Sequence, residues 1–122
     1  MIFRRAQTLF FMVVAVFFVA SFVTSAEAGK VELTIVNIQT PQGVKVWVPE
    51  SVYAKRGDTV TLKLISKLDK EHGYQIEAFG IKEVVGPNAS KTVSFKANKA
   101  GIFPIKCQLH APHVAGQLVV LK

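Results

Sequence analysis

The chain has a single cysteine, Cys107, in 122 residues, so no intramolecular disulfide can form. Methionine is almost as scarce. Met1 and Met12 both lie in the N-terminal segment, and nothing beyond them offers a thioether. Acidic residues number eight against fifteen Lys and Arg, and the net charge is +7. Those cations stand singly, without a basic run or interleaved aromatics, which argues against a nucleic-acid footprint. They fit a solvated surface that steers toward acidic partners or an anionic membrane. There is no internal repeat, no low-complexity segment, no interdomain linker and no stretch of helical periodicity. No nucleophile, general base or substrate pocket is forced by the pattern.

What is abundant first is hydrophobicity at the start. Arg4 and Arg5 precede an apolar run, Leu9–Val23, and small residues follow at Ser25, Ala26 and Ala28. This is the order of a secretory signal, with cleavage expected after Ala28 and Ala26 as the second choice. The alternative is an uncleaved anchor, but the run falls short of the roughly 20 apolar residues of a spanning helix. Residues 1–28 are therefore read as a signal peptide and 29–122 as one domain, exported and periplasmic, or anchored facing the periplasm. A lone thiol in such a disulfide-permitting compartment is a liability unless something occupies it.

The rest alternates with period two. Val31, Leu33 and Ile35 share one face, as do Val44, Val46 and Val48, and Val60, Leu62 and Leu64. Further runs are Gly73–Phe79, Thr92–Ala97, Ile102–Cys107 and Gly116–Lys122, separated by turn residues at Arg56–Thr59, Gly86–Asn88 and Asn98–Gly101. Short strands at such spacing predict an all-β, Greek-key sandwich of seven to eight strands. Parity puts Phe103, Ile105 and Cys107 on the inner face, and His72 with Tyr74 and Ile76. It turns Glu71 toward water.

All three histidines and the cysteine then fall in two places. His72 opens one strand, while Cys107, His110 and His113 occupy "CQLHAPH". A thiolate and imidazoles at this spacing suit a soft or borderline metal, copper or zinc. Here the sequence resembles the cupredoxins. "GIFPIKCQLHAPH" is similar to their Cys-x2-His signature, "VPESVYAKRGDTVTLKL" to their strand–turn–strand, and "EHGYQIEAFG" to the segment that carries the first histidine. The resemblance covers nearly the whole domain and implies one copper ion per chain, with Cys107, His110 and His72 as equatorial ligands. Methionine usually closes such a short loop; here the position is His113. With no methionine in the domain, the fourth donor is His113, a carboxylate such as Glu71, a glutamine such as Gln108, or a backbone carbonyl. The single cysteine excludes a thiolate-bridged binuclear centre.

Within that family, "VWVPESVY", "RGDTV", "IEAFGIKEV" and "KCQLH" are similar to the nitrosocyanins, red copper proteins with one Cys, two His, a carboxylate and an open position. The implied function is one-electron transfer between Cu(II) and Cu(I). Alternatives are binding of nitric oxide or another small ligand, or redox catalysis, at an open copper position; copper delivery or storage; and redox-silent zinc. The expected partner is a redox protein of acidic surface, a cytochrome or oxidoreductase. Peripheral membrane association and a homo-oligomer are left open.

Overall fold

A computed structural model gives the fold. It describes Ser21, residues 28–110 and residues 113–122; the side chain of His113 and the segment expected to be the signal, apart from Ser21 and Ala28, lie outside the described residues. Nine strands follow in order: β1 Lys30–Gln39, β2 Lys45–Val48, β3 Ser51–Lys55, β4 Thr59–Ser66, β5 His72–Ile76, β6 Ile81–Val85, β7 Ser90–Lys96, β8 Gly101–Cys107 and β9 His113–Leu121. They form two sheets, β2-β1-β4-β7 and β3-β9-β8-β5-β6. The pairs β1–β4 and β3–β9 are parallel and the others antiparallel.

The all-β sandwich is the expected one, with nine strands in place of seven or eight. One addition is β3, which the Val48-Pro49-Glu50 corner separates from β2 and passes to the other sheet. The other is β6. The run expected to stay extended to Phe79 stops at Ile76. A 3-10 turn, Glu77–Phe79, closes on Gly80 at φ 67, and the chain folds back as β6. Glycine adopts that left-handed backbone without the steric cost a side chain imposes.

The two inner faces interleave. Ile35, Leu62, Leu64, Val52, Val60, Tyr74, Ile76, Val85, Ile105 and Leu118 are essentially inaccessible. Period-two alternation supplies them from both sheets, and burying each large apolar side chain contributes about 1.5–3 kcal/mol. Asp58 fastens one end of the sandwich: its carboxylate accepts from the Gly29 N–H at 3.0 Å and the Lys55 N–H at 2.8 Å. The opposite end carries the loops before His72 and after Cys107.

Candidate metal centre

Cys107 is the last residue of β8 and is 4 % exposed, as its parity with Phe103 and Ile105 requires. Its thiol is free and donates weakly to the Leu109 carbonyl at 3.8 Å. His72 is the first residue of β5 and is 5 % exposed, in phase with Tyr74 and Ile76. β5 lies beside β8, with Gln75 opposite Lys106. That pairing brings two stretches about 35 residues apart to one end of one sheet.

His110 follows in the loop, exposed and at φ 63. A left-handed backbone is uncommon for a residue with a side chain. It turns the imidazole back across the sheet end, where its centroid lies 5.6 Å from that of His72. Nε2 of His110 stands 3.0 Å from the Glu71 carbonyl oxygen. A carbonyl oxygen only accepts, so Nε2 carries the proton and Nδ1 holds the lone pair. An imidazole whose other N–H donates to a backbone carbonyl is the usual arrangement of a metal-ligating histidine, because that bond fixes tautomer and ring orientation.

His72, Cys107 and His110 share the wall of a cavity of about 250 Å³ with Asn37, Lys45, Trp47 and Ala115. Among the described residues, no three His, Cys, Asp or Glu side chains are clustered closely enough to hold an ion as they stand. The donors line one space without being drawn together around one point. The donor chemistry fits copper: one thiol, one imidazole with a tautomer that frees Nδ1, and a second imidazole across from it. The polar lining points the same way. Asn37 is 1 % exposed and lines this cavity, and among the described residues its Oδ1 has no hydrogen-bond partner. A buried, unpartnered amide costs about 1–3 kcal/mol, so a polar occupant of the space is favoured.

Of the other candidates, Glu71 contributes its backbone carbonyl to His110, and its side chain is exposed. Gln108 donates from Nε2 to the Glu83 carbonyl at 2.9 Å and lies over Gly73, where a Cβ would collide with its amide. Neither side chain lines the cavity. The backbone of His113 begins β9 opposite Cys107.

Three supporting residues were not assigned to the site from sequence. Trp47, read there as core, is 2 % exposed and also donates from Nε1 to the Gly73 carbonyl at 3.1 Å, while its ring meets Tyr74 edge-on at 5.4 Å. It thereby pins the residue that follows His72. Asn37 carried a visible signal: it occupies the inward phase of Val31, Leu33 and Ile35, where an apolar residue belongs. Ala115 enters the wall because the β8–β9 register slips between Ile105 and Lys106, which face Gly116 and Val114 respectively. Such a bulge twists the strand locally and re-aims its side chains. No signal in the sequence marks it.

The sequence profile of the cupredoxin-like domain family matches residues 9–120. Nitrous-oxide reductase of Cupriavidus necator is 36 % identical over 66 residues, which cover 49 % of this chain and 10 % of that protein. The enzyme of the same name from Ralstonia nicotianae is 38 % identical over 66 residues, with the same coverage of 49 % and 10 %. The chain thus spans a tenth of the length of the curated relatives it matches. Among solved structures, copper nitrite reductase from Nitrosomonas europaea superposes with a TM-score of 0.62 at 21 % identity, over 75 % of this chain and 41 % of that one. A multicopper oxidase gives 0.61 at 16 % identity, over 75 % and 42 %. At these identities the structural likeness establishes the fold.

Proposed function

The chain belongs to the cupredoxin-like domain family, and from that premise we propose that it is an exported mononuclear copper protein whose work is one-electron transfer. Cys107, His72 and His110 would hold the ion, with His113 as the fourth donor. The observation that carries this reading is that a buried thiol at the end of β8, an imidazole at the start of β5 and a second imidazole in the loop after β8 line one cavity at the end of the sandwich. A copper ion bound there supplies a one-electron couple.

The protein's own residues account for the rest. His72 and Cys107 sit at the ends of hydrogen-bonded strands, and Trp47 and the Glu71 carbonyl hold His72's strand and the His110 ring in place. Donors anchored in this way would move little between oxidation states once the ion is bound, which would favour fast transfer. His110 is exposed, so its ring offers a short path from the interior to a partner's surface. Lys45 adds a cation to the cavity wall, suited to an acidic partner. A close imidazole at the fourth position, in place of a weak thioether, favours Cu(II). It leads us to expect a potential below that of ordinary blue copper and a green or red colour.

Optical and EPR spectra of the Cu(II)-loaded protein test this. The expected result is a thiolate charge-transfer band that disappears in Cys107→Ser. Colourless, EPR-silent uptake of zinc in preference to copper would count against it. The cavity beside the donors also favours a second reading, binding of a small ligand at the metal. Azide or nitric oxide would then shift the spectrum reversibly; an unchanged spectrum rejects that reading and leaves electron transfer standing.

A further inference from the structure

The end of the sandwich remote from the cavity has a surface of its own. β1 runs from Lys30 at that end to Asn37 in the cavity wall, a span of about 25 Å at the usual rise of a strand. On the outer face there, Tyr53 of β3 pairs with Val119 of β9, and Val119 with Ile102 of β8. This makes a row across three adjacent strands. Tyr53 is 60 % exposed, Ile102 70 % and Leu121 53 %. Leu121 stands between two shallow depressions, one of about 400 Å³ shared with Tyr53, Lys55 and Gly29, the other of about 350 Å³ shared with Ile102 and Lys122.

Cations ring this patch. Lys30, Lys55, Arg56, Lys96 and Lys122 are all exposed. The Arg56 N–H donates to the Leu121 carbonyl at 2.7 Å, and Lys30 and Lys96 flank Thr59 in the other sheet. Of the acids at this end, Asp58 is 9 % exposed and spends its carboxylate on backbone N–H groups, while Glu32 lies exposed two residues along β1 from Lys30. At the cavity end the loop Lys67-Leu68-Asp69-Lys70-Glu71 balances its charges. Five exposed cations thus stand around apolar side chains at this pole, whereas the cavity end adds Lys45 to that balanced loop.

We propose that this pole docks on an anionic lipid surface. An acidic protein would account for the cations alone. A bilayer interface accounts for both features, since interfacial binding adds burial of apolar side chains to attraction between Lys or Arg and anionic headgroups. The chain also enters this pole at Gly29, downstream of the apolar run Leu9–Val23. Docked so, the protein holds His110 and the cavity away from the membrane, open to a soluble partner. The proposal is independent of which metal the cavity takes.

Amide hydrogen exchange of the full chain, with vesicles of phosphatidylcholine alone or containing phosphatidylglycerol, tests it. The expected result is protection of segments 51–56, 100–103 and 119–122 by anionic vesicles, and none at 71–72 or 107–110. Two variants of equal charge change separate the poles. Lys55→Glu with Lys122→Glu should weaken partition by at least about 30-fold, since each of the two lost cations contributes roughly fivefold near an anionic surface and the new carboxylates are repelled by it. Lys67→Glu with Lys70→Glu should leave it within about threefold of the parent. Residues 1–28, where retained, contribute equally to all three proteins. Replacing Tyr53, Ile102 and Leu121 together by threonine, which keeps strand propensity, should also reduce binding. Protection at the cavity end, equal loss in both charge variants, or protection by soluble polyglutamate but not by vesicles would overturn the proposal; the last would assign the pole to an acidic protein.

Discussion

Replacing Asn37 with leucine should stabilise the metal-free protein. The side chain is 1 % exposed, and among the described residues its Oδ1 has no hydrogen-bond partner. Relieving an unpartnered buried polar group is worth about 1–3 kcal/mol. Leucine has nearly the same shape and adds about 1.5–3 kcal/mol of apolar burial. Imperfect fit gives back about 1–3 kcal/mol, although the adjoining cavity of about 250 Å³ leaves room for two methyl groups slightly larger than the amide oxygen and nitrogen they replace. The net is a gain of about 2 kcal/mol. For a domain of this size that raises Tm by about 8–16 °C, at roughly 4–8 °C per kcal/mol. The assay is thermal and urea unfolding in the presence of a chelator. The same substitution should change the Cu(II) spectrum, because the amide lines the donor cavity. A loss of 1 kcal/mol or more in the metal-free protein would refute the reasoning, since it would mean the amide is satisfied without an occupant.

Other expectations follow from the same contacts. Trp47→Phe removes the donor to the Gly73 carbonyl and should cost about 1–3 kcal/mol in urea unfolding; because that carbonyl adjoins His72, the Cu(II) spectrum should shift as well. Gly116→Ala drives a Cβ into the Glu50 backbone carbonyl and should cost about 3 kcal/mol, at the upper end for overpacking, because backbone cannot step aside as a flexible side chain does. Burial pushes the Tyr74 phenol above its ordinary value of 10.0. The unfolded chain therefore releases this proton first, and the Tyr74 contribution to stability, full below pH 10.0, falls as pH rises beyond it. Tyr74→Phe should flatten that part of the decline in urea unfolding between pH 9 and 11. It should cost little at pH 7, because the hydroxyl has no hydrogen-bond partner among the described residues.

The sandwich was legible because alternation is a local property. Val60, Leu62 and Leu64, or Phe103, Ile105 and Cys107, declare their inner face by parity alone, and the same parity set His72 inward and Glu71 outward. What parity does not encode is where a strand yields. The turn at Glu77–Phe79 depends on Gly80 at positive φ and on the pairing of β6 with β5, which a run such as "GYQIEAF" does not announce. The β8–β9 slip that brings Ala115 into the cavity wall is likewise a property of two strands together. The cysteine and histidines stood out as candidate ligands by residue type and spacing, and the structure places His72, Cys107 and His110 on one cavity wall. The carbonyls of Glu71 and Gly73 that hold His110 and Trp47 were not legible, because a backbone acceptor has no sequence identity. Asn37 lay between these cases, a polar residue in an apolar phase whose purpose appears only when the cavity beside it is seen.

The most direct test of the account is X-ray absorption at the copper edge of the Cu(II)-loaded protein. One short sulfur scatterer with two or three imidazole nitrogens is expected, the sulfur lost in Cys107→Ser and one imidazole lost in His72→Ala. A shell of nitrogen and oxygen alone, unchanged by either substitution, would contradict it.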